Sequence, residues 1–161
     1  LDKGLSIEST SSVSNKEKVI NSYDNSILYT DYLLSEIISR LKENKAVSYM
    51  YYISDHGENL FDSSDNKLLH GFEKPTKYEI EIPLFIWTSN KYNLFNSNKI
   101  LNLKNHLHHK ITSSNTFNTL LDMANITYPS FEYNKSFSNK RFDTLQTRNF
   151  LTPNKAIIKL D

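Results

Sequence analysis

The segment VSYMYYISDHGE, residues 47–58, joins a short apolar run to a group of polar side chains. The run from Val47 to Ile53 is rich in aromatic and apolar residues, which is typical of a strand buried on both faces of an α/β sheet. It leads directly into Asp55, His56 and Gly57. Because ligands of α/β sheets gather beyond the carboxyl ends of the strands, we expect this segment to carry the functional site.

The adjacent Asp55 and His56 offer a carboxylate oxygen and an imidazole nitrogen, which are ordinary zinc ligands. In a regular strand their side chains would point to opposite faces, but just past the strand end a turn at Gly57 can bring them together. Calcium and magnesium prefer oxygen ligands, so His56 favours zinc, with manganese as the second choice. Two ligands do not complete a zinc site, and the pair could equally form a hydrogen-bonded turn.

His70 stands in the short motif Leu69-His70-Gly71, beyond a polar stretch. It could return to the same crevice and meet a phosphate oxygen or a second metal ion. The alternative, which the residue type alone favours, is an exposed loop histidine. A further group, His106, His108 and His109, is flanked by Asn and Lys, and we expect it to lie on the surface.

The segments on either side predict helices and strands in an α/β layer arrangement. From Lys16 to Glu43 no Pro or Gly interrupts a helical period, with an apolar stripe of Ile20, Tyr23, Ile27, Leu34, Ile38 and Leu41. Residues 82–87 (IPLFIW) predict a second buried strand. Ser113 or Ser114 could cap a helix over Asn115 to Ala124, whose buried stripe would be Phe117, Leu120, Leu121 and Ala124.

The remaining segments are predicted to be less regular. Residues 1–15 are polar and Ser-rich and are expected to form a flexible lead-in. Residues 59–79 are polar and irregular, and residues 90–112 predict a surface excursion. A closing strand is expected over residues 156–160.

Composition excludes several classes of function. The 161 residues are 38% hydrophobic, which fits one domain with a core. The 19 Lys and Arg residues nearly balance 18 Asp and Glu residues, so no basic field for nucleic acid is indicated. With no cysteine, disulfides and thiolate chemistry are excluded. No stretch approaches the roughly 20 apolar residues of a membrane span. Because the first residue is Leu, we expect the numbering to begin inside a longer gene product.

Several motifs in order resemble the bacterial phosphoethanolamine transferases of the alkaline phosphatase superfamily. The site motifs are SDHGE at residues 54–58, LHG at residues 69–71 and EIP at residues 81–83, followed by Phe85 and Trp87. The family's YDN-x-x-x-YTDY helix is matched by YDNSILYTDY at residues 23–32, and its helix near the C-terminus by NTFNTLLDMANI at residues 115–126. Asp-His-Gly is shared by the wider superfamily, whereas the YDN-to-YTDY helix is specific to this branch.

The resemblance implies a fold and a set of roles. Residues 16–161 would be the C-terminal portion of an alkaline-phosphatase-like α/β sheet with flanking helices. Asp55 and His56 would bind zinc, His70 would contact the transferred phosphate or a second metal ion, and Glu58 would lie at the edge of the site. The intact enzyme would move phosphoethanolamine from phosphatidylethanolamine to an envelope glycan such as lipid A, as the periplasmic domain of an inner-membrane protein.

The resemblance also identifies what this chain lacks. In the family a threonine nucleophile and a further acidic ligand lie upstream of the YDN helix, and neither motif can be located here. Thr30 lies within the helix and is interpreted as an ordinary helix residue. We therefore expect the upstream part of the enzyme to complete the site. Two alternatives stay open: a sulfatase or phosphoglycerol transferase of the same superfamily, and a non-catalytic module that pairs with another chain.

Overall fold

The computed structural model describes residues 13–160. Within that part the chain forms two compact units. The first contains residues 13–44 and 54–83, and the second contains residues 45–53 and 84–160. Most of the predicted lead-in lies outside the described residues, while Val13–Asn15 forms a 3-10 turn.

The first unit begins with helix α1, Lys16–Glu43, whose bounds match the predicted helix. Val19 is buried, and the predicted stripe is half-buried at every position except Ile27, which is exposed. Outside the stripe the helix carries exposed apolar side chains: Leu28, Tyr29, Tyr32, Leu33 and Ile37. The helix therefore shows apolar residues on more than one face.

The rest of the first unit consists of short elements near the residues of the DHG and LHG motifs, residues 55–57 and 69–71. Strand β2, Asn59–Leu60, pairs antiparallel with strand β3, Leu68–Leu69. Helix α2, Lys77–Ile80, follows. The Lys16 Nζ donates to the carbonyl of Phe61 at 2.8 Å and so ties the start of α1 to the β2–β3 hairpin. The segment predicted to be irregular thus contains a small hairpin and one helical turn.

The second unit contains the two predicted strands. Strand β1, Tyr49–Ile53, pairs antiparallel with strand β4, Leu84–Thr88, and Tyr51 lies opposite Ile86. Both begin two residues later than predicted. The prediction of burial on both faces was wrong: the five residues of β1 are all half-buried and Phe85 of β4 is exposed. Strands are buried on both faces only where other elements cover both sides of the sheet, and here β1 and β4 keep part of their side chains exposed.

The predicted surface excursion is instead helical. Helix α3, Asn90–Phe95, and helix α4, Ser97–Asn105, follow β4. The Ser89 hydroxyl oxygen caps α3 by accepting the Tyr92 N–H at 3.1 Å. The prediction for His106 was also wrong, because its ring is buried and its Nδ1 donates to the Phe137 carbonyl at 2.9 Å. His108 and His109 are exposed, as predicted.

Helix α5, Thr116–Met123, confirms the predicted helix but not its orientation or cap. Phe117 is 60% exposed and Ala124 is exposed, while Leu120 and Leu121 are half-buried. The buried residues are instead Asn118, Thr119, Asp122 and Met123. The N-cap of α5 is Asn115, whose side chain makes no capping bond, while Thr112 caps the preceding 3-10 turn, Ser113–Asn115, by accepting the Ser114 N–H at 3.2 Å.

A polar centre explains the orientation of α5. The Asp122 carboxylate accepts hydrogen bonds from Lys99 Nζ at 2.8 Å, Ser136 Oγ at 2.8 Å, Ser138 Oγ at 3.0 Å and Asn139 Nδ2 at 3.1 Å. A buried carboxylate is stable only when it is paired and hydrogen-bonded in this way. An apolar-stripe rule cannot anticipate a helix whose buried face is polar.

The chain ends in a hairpin. Strand β5, Asn149–Leu151, pairs antiparallel with strand β6, Ile157–Lys159, which confirms the predicted closing strand. Within residues 13–160 no helix combines the length and the hydrophobicity that a membrane span requires.

Candidate metal centre

The Ser54–Glu58 segment is a tight, internally bonded turn. The Ser54 N–H donates to the Pro83 carbonyl at 3.2 Å, and the Ser54 hydroxyl donates to the His56 carbonyl at 2.8 Å. The His56 N–H donates to Asp55 Oδ1 at 3.0 Å. The hydrogen-bonded turn that the sequence left open is therefore present, and it holds Asp55 and His56 in defined positions.

Gly57 is required by a close approach of two backbone segments. Its N–H donates to the Glu79 carbonyl at 2.9 Å. A Cβ added at Gly57 would lie 2.0 Å from the carbonyl oxygen of Tyr78, a distance that no side chain can occupy. The absence of a side chain thus lets the turn lie directly against α2.

His70 is carried by the end of the β2–β3 hairpin. Leu69 lies opposite Asn59 in the register, and the residues on both sides of His70 have positive φ, 67° at Leu69 and 92° at Gly71. A left-handed leucine costs roughly 1–2 kcal/mol, so the surrounding contacts must hold it. This backbone path brings the His70 ring against the His56 ring, with centroids 3.5 Å apart.

Glu58 lies between the two histidines. Its Oε1 is 3.0 Å and its Oε2 3.1 Å from His70 Nδ1, and its Oε1 is 3.7 Å from His56 Nδ1. One ligand atom from each of His56, Glu58 and His70 can be chosen so that all lie within 4.8 Å of one another. These residues therefore form a group that could hold a metal ion.

Asp55 lies beside this group but on another side of His56. Its Oδ2 is 3.7 Å from His56 Nε2, and its side chain is 87% exposed. The Gly57 carbonyl, 3.2 Å from His56 Nδ1, can only accept a hydrogen bond, so Nδ1 donates and Nε2 is the nitrogen that lies beside Asp55. A ligating histidine usually donates its other N–H to a carbonyl in this way. The pKa of Asp55 lies below its ordinary value. The largest cause is the hydrogen bond from the backbone N–H of His56; the backbone N–H of Asp55 itself and the nearby His56 imidazole also contribute.

The sequence interpretation missed the residue that organises the site segment, Glu79. This carboxylate is buried, with 3% of the residue exposed, and accepts four hydrogen bonds. Oε1 accepts from Asn59 Nδ2 at 2.9 Å and from the Thr76 N–H at 3.0 Å; Oε2 accepts from the N–H groups of Gly71 at 3.0 Å and Phe72 at 3.4 Å. Burial acts to raise the pKa of Glu79, but these hydrogen bonds outweigh it and hold the pKa below its ordinary value. The signal was available: Thr76-Lys77-Tyr78-Glu79 has the T-x-x-E pattern of a capping box.

Thr30 is confirmed as an ordinary helix threonine. Its hydroxyl donates to the Ser26 carbonyl at 3.0 Å, one turn earlier in α1. This backbone bond is the usual role of a helix threonine.

Comparison with known proteins identifies the family of this chain. Residues 6–126 match the sulfatase family, so the chain belongs to it. Among named relatives, phosphoethanolamine transferase EptA of Helicobacter pylori is 34% identical over 123 residues, which cover 75% of this chain and 22% of that protein. Kdo(2)-lipid A phosphoethanolamine 7''-transferase of Escherichia coli K12 is 35% identical over 79 residues, 48% of this chain and 13% of that protein.

A solved structure supports the same assignment. The C-terminal periplasmic domain of EptC from Escherichia coli, in complex with Zn, is similar with a TM-score of 0.80 and 25% sequence identity, over 99% of this chain and 42% of that one. This similarity confirms the predicted alkaline-phosphatase-like α/β fold. The chain thus spans less than half of the related domain and about a fifth of the Helicobacter protein.

Proposed function

We propose that this chain supplies part of the active site of a metal-dependent phosphoethanolamine transferase. The observation that carries the proposal is the group of His56, Glu58 and His70 with Asp55 beside it, on a turn that the DHG motif forms. The relatives named above are phosphoethanolamine transferases, and they support the same reaction class. This chain covers only part of the length of those relatives. The full activity would therefore need residues that lie outside this chain.

Zinc is the ion that these donors suit best, because imidazole nitrogens and carboxylate oxygens together favour zinc over calcium or magnesium. Asp55 Oδ2 and His56 Nε2 would hold it, with remaining ligands from the upstream part of the enzyme. When bound, the ion would supply positive charge that stabilises the charge developing on the transferred phosphoryl group. A complex of EptC with Zn has been solved, which supports the choice of metal.

His70 and Glu58 would act on the phosphoryl oxygens. The Glu58 carboxylate accepts from His70 Nδ1, which leaves His70 Nε2 exposed to a bound phosphate. In its protonated form, His70 would hold a phosphoryl oxygen and could give its Nε2 proton to the leaving oxygen. The arrangement resembles the carboxylate–histidine pairs that orient histidines in other metal sites.

The reaction would be a double displacement. A threonine hydroxyl from the upstream part would form an O–P bond with phosphatidylethanolamine as the P–O bond to diacylglycerol breaks. In net terms, the threonine hydroxyl proton would pass by way of His70 to the departing diacylglycerol oxygen, where it takes the place of the broken P–O bond. An oxygen of an acceptor glycan such as lipid A would then attack the phosphoethanolamine-threonine, and the threonine would recover its proton. We further propose that the reaction takes place in the periplasm, where a membrane anchor outside this chain would hold the enzyme near its lipid donor.

The test uses membranes that contain the intact gene product, a labelled phosphatidylethanolamine and lipid A. We expect labelled phosphoethanolamine on lipid A and release of diacylglycerol, with both lost in His56→Ala. His108→Ala, at an exposed histidine, is the matched control and should retain activity. Hydrolysis of a sulfate ester without transfer would instead assign a sulfatase, and equal activity in His56→Ala would refute the site.

A further inference from the structure

We infer that Glu79 is the positioning residue of the His56–Glu58–His70 group. This inference rests on the proposed function and adds a residue to it. The hydrogen bonds of Glu79 go to the neighbours of these three side chains in the sequence, and Glu79 acts through those neighbours. Three independent bonds carry the argument.

Glu79 is bonded to a residue adjacent to each member of the group. Its carbonyl accepts from Gly57, which lies between His56 and Glu58, at 2.9 Å. Its Oε1 accepts from Asn59, directly after Glu58, at 2.9 Å. Its Oε2 accepts from Gly71, directly after His70, at 3.0 Å. One residue therefore fixes the backbone beside all three side chains.

Asn59 extends the same network to the strained residue before His70. It is fully buried, and its Nδ2 also donates to the Leu69 carbonyl at 2.7 Å. Its Oδ1 accepts from Thr76 Oγ1 at 2.5 Å. The left-handed backbone on both sides of His70 is thus held by bonds that converge on one buried carboxylate.

The chemistry requires a carboxylate at position 79. All four partners of its oxygens are donors: two are backbone N–H groups on Oε2, and the others are the Thr76 N–H and the Asn59 amide on Oε1. A glutamine of the same shape would direct an NH₂ group at two donors, whichever way its amide is turned. Leaving buried donors unpaired costs roughly 1–3 kcal/mol each, so the loop would move to satisfy them.

The experiment compares Glu79→Gln with two controls in the 161-residue chain. Glu36→Gln changes an exposed carboxylate on α1 in the same unit. Asp122→Asn weakens a buried carboxylate network in the other unit and controls for general loss of stability. The measurements are the affinity for Zn²⁺ alone, the visible spectrum of bound Co²⁺, thermal unfolding, and the nuclear Overhauser effects between the rings of His56 and His70.

In Glu79→Gln we expect Zn²⁺ affinity to fall by about 10- to 100-fold, as for other residues that orient metal ligands. The Co²⁺ spectrum should change and the contact between the two rings should be lost, although unfolding stays cooperative. Both controls should keep the wild-type Zn²⁺ affinity, Co²⁺ spectrum and ring contact. This should hold even if Asp122→Asn lowers the melting temperature as much as Glu79→Gln does.

Wild-type metal affinity and a persistent ring contact in Glu79→Gln would overturn the inference. A wild-type chain that binds Zn²⁺ too weakly to measure is consistent with a site whose remaining ligands lie upstream, and the transfer assay with His56→Ala then tests the proposed function separately. The positioning role is then decided by the ring contact alone, which needs no metal: loss in Glu79→Gln supports it, and retention refutes it.

Discussion

The imidazole rings of His56 and His70 lie with their centroids 3.5 Å apart and their planes at 33°. Glu58, which is 19% exposed on its side chain, approaches a nitrogen of each ring. The three side chains together place imidazole nitrogens and carboxylate oxygens close enough to one another to act as ligands of a cation.

Replacing Glu58 with Gln should weaken metal binding at Asp55 and His56, because the variant loses the negative charge that lies 3.7 Å from His56 Nδ1. We expect Zn²⁺ affinity to fall by about 10- to 100-fold, measured by competition with a chromophoric chelator near neutral pH. Glu73→Gln, at an exposed carboxylate in the same unit, serves as the control. Unchanged affinity in Glu58→Gln would mean that this carboxylate has no part in metal binding.

Replacing Asp55 with Ala should separate metal binding from stability. Since the Asp55 side chain is 87% exposed, the free energy of unfolding should change by no more than about 0.5 kcal/mol. Zn²⁺ content after dialysis should nevertheless fall if Asp55 is a ligand. Asp24→Ala, at an exposed carboxylate on α1, should change neither quantity. Wild-type zinc content in Asp55→Ala would remove Asp55 from the ligand set.

The two glycines of the site segment should respond differently to alanine. Gly57→Ala places a methyl group 2.0 Å from the Tyr78 carbonyl oxygen, and the backbone shift should cost about 1–3 kcal/mol or more. Gly71→Ala meets no atom within 4 Å, so its cost is the strain of a left-handed alanine, roughly 1–2 kcal/mol. Urea unfolding measures both. A larger loss in Gly71→Ala than in Gly57→Ala would contradict the close approach.

Acid should destabilise the protein through its two buried carboxylates. The pKa of Glu79 lies below its ordinary value of 4.5. For Asp122, burial raises the pKa, but hydrogen bonds from Lys99, Ser136 and Asn139 outweigh burial and hold the pKa below its ordinary value of 3.8. A lowered folded-state pKa means that the unfolded chain takes up protons first. The stabilisation is therefore present above the ordinary values and is lost as pH falls through the folded values.

The corresponding measurement is urea unfolding over a pH series. We expect a steady free energy of unfolding above about pH 5 and a decline toward about pH 3. Asp122→Asn should be less stable at neutral pH and should lose less on acidification, because one titrating group is gone. An identical acid slope in the two proteins would show that Asp122 does not contribute.

Much of the site could be predicted from sequence because its residues are local and chemically distinctive. Asp55 and His56 follow an apolar run, and that pattern was sufficient to locate the turn. The position of His70 depends on Leu69 and Gly71 with positive φ, which no periodicity reveals. Whether Asp55, His56, His70 and Glu58 have the roles assigned to them stays a prediction.

Two of the errors in the fold, the buried face of α5 and the burial of His106, share one physical cause, which is that polar contacts override an apolar pattern. The face of α5 that contains Asp122 is buried because Lys99, Ser136, Ser138 and Asn139 satisfy its carboxylate. Likewise, His106 is buried because the Phe137 carbonyl accepts its Nδ1 proton. Partners this distant in sequence cannot be read from a local window, whereas α1, whose pattern is long and uninterrupted, was predicted to the residue.

The bond from the Gly57 N–H to the Glu79 carbonyl also bears on the order of folding. It closes a loop of 22 residues (79 − 57), and the length-dependent part of that closure costs only about 2.7 kcal/mol. At this modest entropic cost, the turn, the hairpin and α2 can order together. Pulsed hydrogen exchange should therefore find the amides of Gly57, Gly71 and Phe72 protected in one step, so that the metal-binding segment is shaped as a unit before any ion arrives.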